Sequence, residues 1–205
     1  MGLLSILTGR KQLAKPAPDR LFAISTAYVT LETGLQITTG GSAAIVFQAL
    51  ATADFQSIVT DMEEVVRATA SDSATTVQTR EDEFGFSWLI LEQDNSGDAR
   101  SGEAGSRAGS FDDLVVGINA VSSALEAGGY GERILCAVFA FQDARGRALY
   151  WIYNYKRGMF YPFVPAGGSQ QHDNERELVL KAQIGKELPV EPELQRWFPL
   201  WGIPI

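Results

Sequence analysis

Apolar residues recur at Phe55, Ile58, Val59, Met62, Val65 and Val66, steps of three and four that draw one stripe along a helix which Thr52 can cap. The same period returns at Phe111, Leu114, Val115, Ile118, Val121 and Leu125. There Ser110 and Asp113 approximate a capping box and Gly128-Gly129 supplies the stop, with Gly117 beside the stripe suggesting close packing. A third helix is predicted from Asp19 to about Thr33, ended by Gly34, and a fourth from Asp173 to about Gly185. Between these lie runs with strand character: Ala43 to Leu50 after Gly40-Gly41, Thr75 to Thr79, Phe84 to Glu92, Ile134 to Gln142, Ala148 to Tyr155 and Met159 to Val164. The last three are joined by the short turns Asp143-Ala144-Arg145-Gly146 and Lys156-Arg157-Gly158, which imply an antiparallel meander, and Pro162 makes its final strand an edge or a broken strand.

The element order is α-β-α-β-β followed by α-β-β-β-α. The predicted fold is α+β: antiparallel sheet packed against helices in a two-layer sandwich of two αβ-type halves. Residues 17–205 are expected to form a single domain. Within it, residues 94–109 carry Gly, Ser, Ala and charges but no bulky apolar side chain, the composition of a flexible loop. Residues 1–16 stand apart. Leu3, Leu4, Ile6 and Leu7 precede Arg10 and Lys11, so the segment can dock on the domain or act as a peripheral membrane contact, with leucines in the interface and cations on anionic head groups.

Composition narrows the function classes. A formal charge of −8 over 205 residues, with scattered Lys and Arg, excludes a basic stripe for nucleic acid. The acidic groups at Glu81, Asp82 and Glu83 and at Glu187, Glu191 and Glu193 read first as solvated faces. Cys136 is the one cysteine and sits in the apolar run 134–139, as a small buried hydrophobe would. With no cysteine pair, no run of about twenty apolar residues and no secretory pattern at the start, the chain is expected in the cytoplasm.

Candidate chemistry is sparse. One histidine, His172, and one cysteine do not build a zinc centre, and no serine stands in a nucleophile-elbow sequence. No catalytic residue, metal site or cofactor is expected. Gly167-Gly168-Ser169 leads into a helix whose amides can hold an anion, which supports an alternative as a small-ligand or anionic lipid head-group sensor aided by Lys156 or Arg157. The strongest feature is the aromatic-basic stretch 153–163. Alternation along its strand puts Trp151, Tyr153 and Tyr155 on one face and Tyr150, Ile152 and Asn154 on the other; one must meet the helices and the other is open to display. Asn154, Tyr155, Lys156, Arg157, Gly158, Phe160 and Tyr161 are therefore the candidate partner-binding residues, with the sharper expectation on Lys156, Arg157 and Gly158. Trp197 and Trp201 are expected to seal the domain as a tail clasp.

The phrases Met1-Gly2-Leu3-Leu4, Leu21-Phe22-Ala23, Phe84-Gly85-Phe86-Ser87-Trp88, Asn119 to Glu126, Tyr153 to Phe163 and Arg196-Trp197-Phe198-Pro199-Leu200-Trp201-Gly202 together resemble the PspA-associated PspAB family over nearly the whole chain. That resemblance implies a non-enzymatic adaptor or regulator in a phage-shock type envelope stress response. Its implied partners are a PspA-like membrane coat protein or an HtpX-type membrane protease. It brings no catalytic residues.

Overall fold

The computed structural model describes residues 18–70, 75–93, 110–167 and 170–205. The apolar-basic segment 1–16, the loop 94–109 and most of the Gly167-Gly168-Ser169 phrase lie outside the described residues. The helices are α1 (Pro18–Leu21), α2 (Ala23–Leu35), α3 (Ala53–Ala70), α4 (Phe111–Ala127) and α5 (Asn174–Ile184). The strands are β1 (Thr38–Phe47), β2 (Thr75–Glu81), β3 (Ser87–Gln93), β4 (Ile134–Gln142), β5 (Ala148–Asn154) and β6 (Met159–Phe163). All six strands form one antiparallel sheet in the order β2-β3-β1-β4-β5-β6. The fold is α+β, as the element pattern predicts.

The two halves meet at the central pair of β1 and β4. They are not copies of one topology: β1 pairs with β3 and leaves β2 outside, whereas β4, β5 and β6 run as a sequential meander. β6 is an edge strand, which is where Pro162 is tolerated. Its open side is not bare, because Phe160 N donates to Pro189 O and Glu191 N donates to Phe160 O, each at 2.8 Å.

Two boundaries differ from the sequence expectation for clear reasons. β1 begins before the glycine pair rather than after it, with a register shift between Thr39 and Ala43. Gly41 takes a φ of 77°, and a Cβ on Gly40 would stand 3.1 Å from the Ala140 Cβ, so the glycines form an irregularity inside the strand. The first long helix also breaks at Phe22 and runs past Gly34 to Leu35; Gln36 adopts the left-handed conformation at φ 55° and its N–H caps Leu31 O.

Both faces of the sheet are covered. On one face the helices bury Ile45, Phe47, Phe139, Trp151, Tyr153 and Phe160 against Leu114, Ile118 and Leu125 of α4. The opposite face carries a second apolar cluster of Val46, Trp88, Ile90, Val138, Ile152, Tyr161 and Phe163. The tail packs Trp197, Leu200, Trp201, Ile203 and Ile205 there, so a third layer of irregular chain replaces solvent over β5 and β6.

Candidate functional site

The β5–β6 turn is built by Asn154. Its carbonyl accepts from Gly158 N at 2.8 Å and its side-chain oxygen from Arg157 N at 3.2 Å, while Gly158 takes φ 62°. This geometry sends the candidate residues in different directions. Tyr155, Phe160 and Tyr161 are buried, Phe160 and Tyr155 on the helix side and Tyr161 beneath the tail. The expectation that some of these aromatics are displayed is corrected: strand alternation turns one set onto the helices, and the tail covers the set that alternation turns the other way.

Arg157 is also committed internally. Its Nε donates to Glu191 Oε2 at 2.8 Å and a second guanidinium nitrogen reaches Oε1 at 3.4 Å. Burial alone pushes Glu191 up, but the Arg157 hydrogen bond, the Glu193 amide and the charges of Arg157 and Arg196 outweigh it and hold the carboxyl below its ordinary value. Gly158 is buried against Arg20, whose guanidinium donates to the Gly158 carbonyl at 3.5 Å. Lys156 is left as the exposed cation of the turn, with no ion pair among the described residues.

Lys156 stands on a half-open apolar groove of about 430 Å³ across one end of the tail-side face. The floor is Val46, Trp88, Cys136 and Tyr161, from β1, β3, β4 and β6. One wall is the β2–β3 turn with Phe84 and Phe86, and the other is the tail segment from Phe198 to Trp201. Phe84 is 62% exposed and Phe198 57%, large rings left in water on opposite walls. Such a pairing of exposed aromatics around an apolar floor is the composition of a binding surface rather than of a solvated rim.

The walls are held by polar contacts that do not spend the groove's apolar surface. Asp82 Oδ1 accepts from Phe84 N and Phe86 N, and Oδ2 from Trp88 Nε1, all at 2.9 Å. The Tyr161 hydroxyl donates to Phe198 O at 3.0 Å, and burial keeps that hydroxyl protonated by raising it well above its usual value. Trp197 Nε1 donates to Glu191 O at 3.0 Å, and Trp201 packs edge-on to Phe163 at 5.3 Å. The two tail tryptophans thus act as the clasp that their sequence context suggests.

Cys136 and His172, the two nucleophile or base candidates of the sequence, are each committed elsewhere. The Cys136 thiol is pushed up to about 12 by burial, far from the thiolate a nucleophile requires. His172 Nδ1 lies 3.0 Å from both Glu177 oxygens on α5, away from Cys136, and Glu177 Oε1 also accepts from Val164 N at 2.9 Å. Among the described residues no three metal-ligating side chains converge, and no helix is long and apolar enough to cross a membrane. The α5 start, considered for an anion, is filled by the chain's own carboxylates: Asp173 accepts from Arg176 N at 3.0 Å, and Glu175 and Glu177 occupy the first turn.

Of the residues that line the groove, the sequence singles out Asn154, Lys156 and Tyr161 as candidates but not Phe84, Phe198 or Asp82. Their signals were present: a bulky ring inside the acidic turn 81–85, another in a proline-interrupted tail, and an Asp placed to bond amides two and four residues on. A six-stranded antiparallel sheet with helices on one face, and a tail and an apolar groove on the other, defines an α+β protein. The chain belongs to the family described as PspA associated protein B, which matches residues 1–205. Comparison with curated proteins and with solved structures gives no match.

Proposed function

We propose that this protein is a non-catalytic adaptor that docks a protein partner of a PspA-linked envelope stress system into the tail-side groove. Membership of a PspA-associated family supports a PspA-linked role. The observation that carries the docking assignment is the pair of exposed rings, Phe84 and Phe198, on an apolar groove with the exposed Lys156 at its edge. Two of the sequence phrases that carry the family resemblance, 84–88 and 196–202, contribute both walls. The partner is a PspA-like coat protein or an HtpX-type membrane protease, met at the inner face of the cell membrane.

The test is affinity capture with Phe84→Asp and Phe198→Asp. Each places a carboxylate on an apolar docking surface, and a central aromatic anchor of this kind is worth about 2 kcal/mol or more, so capture of the partner falls by a factor on the order of thirty. Both rings are more than half exposed, so the folded state is retained. Undiminished capture of PspA and of the protease by both variants sinks the assignment of the groove.

A further inference from the structure

Most of the groove's floor follows one register row of the sheet. Trp88 of β3 pairs with Val46 of β1, Val46 with Cys136 of β4, and Cys136 with Asn154 of β5. Taking the groove as the docking site just argued, we propose that the segment it takes from the partner is an amphipathic α-helix that lies along this row on its apolar face and carries a carboxylate at the end beside Lys156.

The backbone beneath the groove decides the conformation of that segment. An extended peptide loses water from its amides when it settles on an apolar surface, and it offsets that cost by pairing with an open strand edge. No open edge borders the row. β3, β1, β4 and β5 each have a strand on both sides, and the outer side of β6 is paired through Phe160 to Pro189 and Glu191. The other outer strand, β2, contributes none of the described lining residues. Two side-chain donors on the floor that could hold the carbonyls of an extended chain are already engaged, the Trp88 indole with Asp82 and the Tyr161 hydroxyl with Phe198 O. A helix closes its own hydrogen bonds and needs only side-chain contacts. From β3 to β5 the row crosses three strand spacings, about 14 Å, which a helix covers in roughly nine or ten residues. Apolar side chains at helical spacing along that length match an apolar floor with the exposed rings of Phe84 and Phe198 beside it.

Charge decides what stands at the end of the apolar face. Asp82 and Lys156 are the charged side chains among the described lining residues. Both oxygens of Asp82 already accept, from two amides and the Trp88 indole. Lys156, two residues beyond Asn154, is exposed and has no ion pair among the described residues. The row is thus apolar along its length with an available cation at its β5 end. A carboxylate on the occupant gains an ion pair there, and a basic residue meets repulsion.

The experiment selects binders of the full-length chain from a displayed library of random peptides of about four helical turns, with the double variant Phe84→Asp, Phe198→Asp as counter-target. The expected ligands carry apolar residues at helical spacing with Asp or Glu at one end, and a synthetic copy gains helical circular dichroism on binding. Lys156→Glu weakens that copy by up to about fivefold at low salt, and replacing the peptide's acidic residue with Lys restores binding to Lys156→Glu. Ligands with period-two or proline-rich patterns, binding without gain of helix, or a charge exchange that restores nothing overturn the proposal. When the double variant rejects those same ligands, the groove stands as the docking site and only the acidic helix is lost. Ligands that the double variant retains, or a selection that enriches nothing, overturn the groove assignment together with the helix.

Discussion

Arg157 and Glu191 form a two-point ion pair across 34 residues of sequence, its shorter contact 2.8 Å, in which the carboxylate side chain is 3% exposed and the guanidinium 37%. It fastens the β5–β6 turn to the segment that covers the β6 edge. Removing the cation leaves a buried carboxylate without its main partner, while the cation itself retains water. The pH dependence follows from the sign of the Glu191 shift. Its folded value lies below its unfolded value, so the pair contributes stability above the ordinary carboxylate range, and that contribution is lost as pH falls through the folded value. Arg157→Gln should therefore lower the urea midpoint at pH 7 and converge toward the unsubstituted protein near pH 3. An equal deficit at both pH values would show that the guanidinium acts through packing alone.

Lys156, one residue earlier, should behave in the opposite way. It is exposed and its only assigned role is on the groove, so Lys156→Glu is expected to change unfolding free energy by no more than about 0.5 kcal/mol. Capture of an acidic-edged partner falls instead, and the loss diminishes as added salt screens the charge. Unaltered capture by Lys156→Glu, beside reduced capture by Phe198→Asp, would confine recognition to the apolar surface.

The contrast between these adjacent residues marks how far the sequence is legible. Helix and strand identities follow from local periodicity, and the α4 start could be placed at Ser110 because a capping box is complete within four residues. Alternation likewise separated Trp151, Tyr153 and Tyr155 from Ile152. What alternation does not contain is the identity of the cover on each face. Tyr161 is buried because a tail some forty residues on lies across it, and Arg157 is withdrawn because Glu191 arrives from beyond α5. The groove is assembled from five strands, two turns and the tail, so no contiguous stretch could announce it.

Ser110→Ala tests the part that was legible. Ser110 Oγ accepts from Asp113 N at 3.3 Å and Asp113 Oδ2 accepts from Ser110 N at 2.8 Å. Losing the hydroxyl removes one half of the box and should cost about 1 kcal/mol, measured as a shift in urea midpoint at unchanged slope. A cost indistinguishable from zero would mean that water or the remaining Asp113 contact satisfies the α4 amides as well.

Trp201→Ala tests the tail layer. The indole packs on Phe163 at 5.3 Å and on the His172 ring at 6.2 Å, and it forms part of the groove wall, yet it remains half-exposed. Full removal of a buried tryptophan costs roughly 3–5 kcal/mol, and partial exposure places this one nearer about 2 kcal/mol. Loosening the tail also uncovers Ile152, Tyr161 and Phe163, so the variant should bind a hydrophobic dye under conditions where the parent protein does not. Stability lost without dye binding would show that the tail stays seated and that only the indole's own contacts are missing. Dye binding without capture of the partner would place the tail wall among the elements that the partner requires.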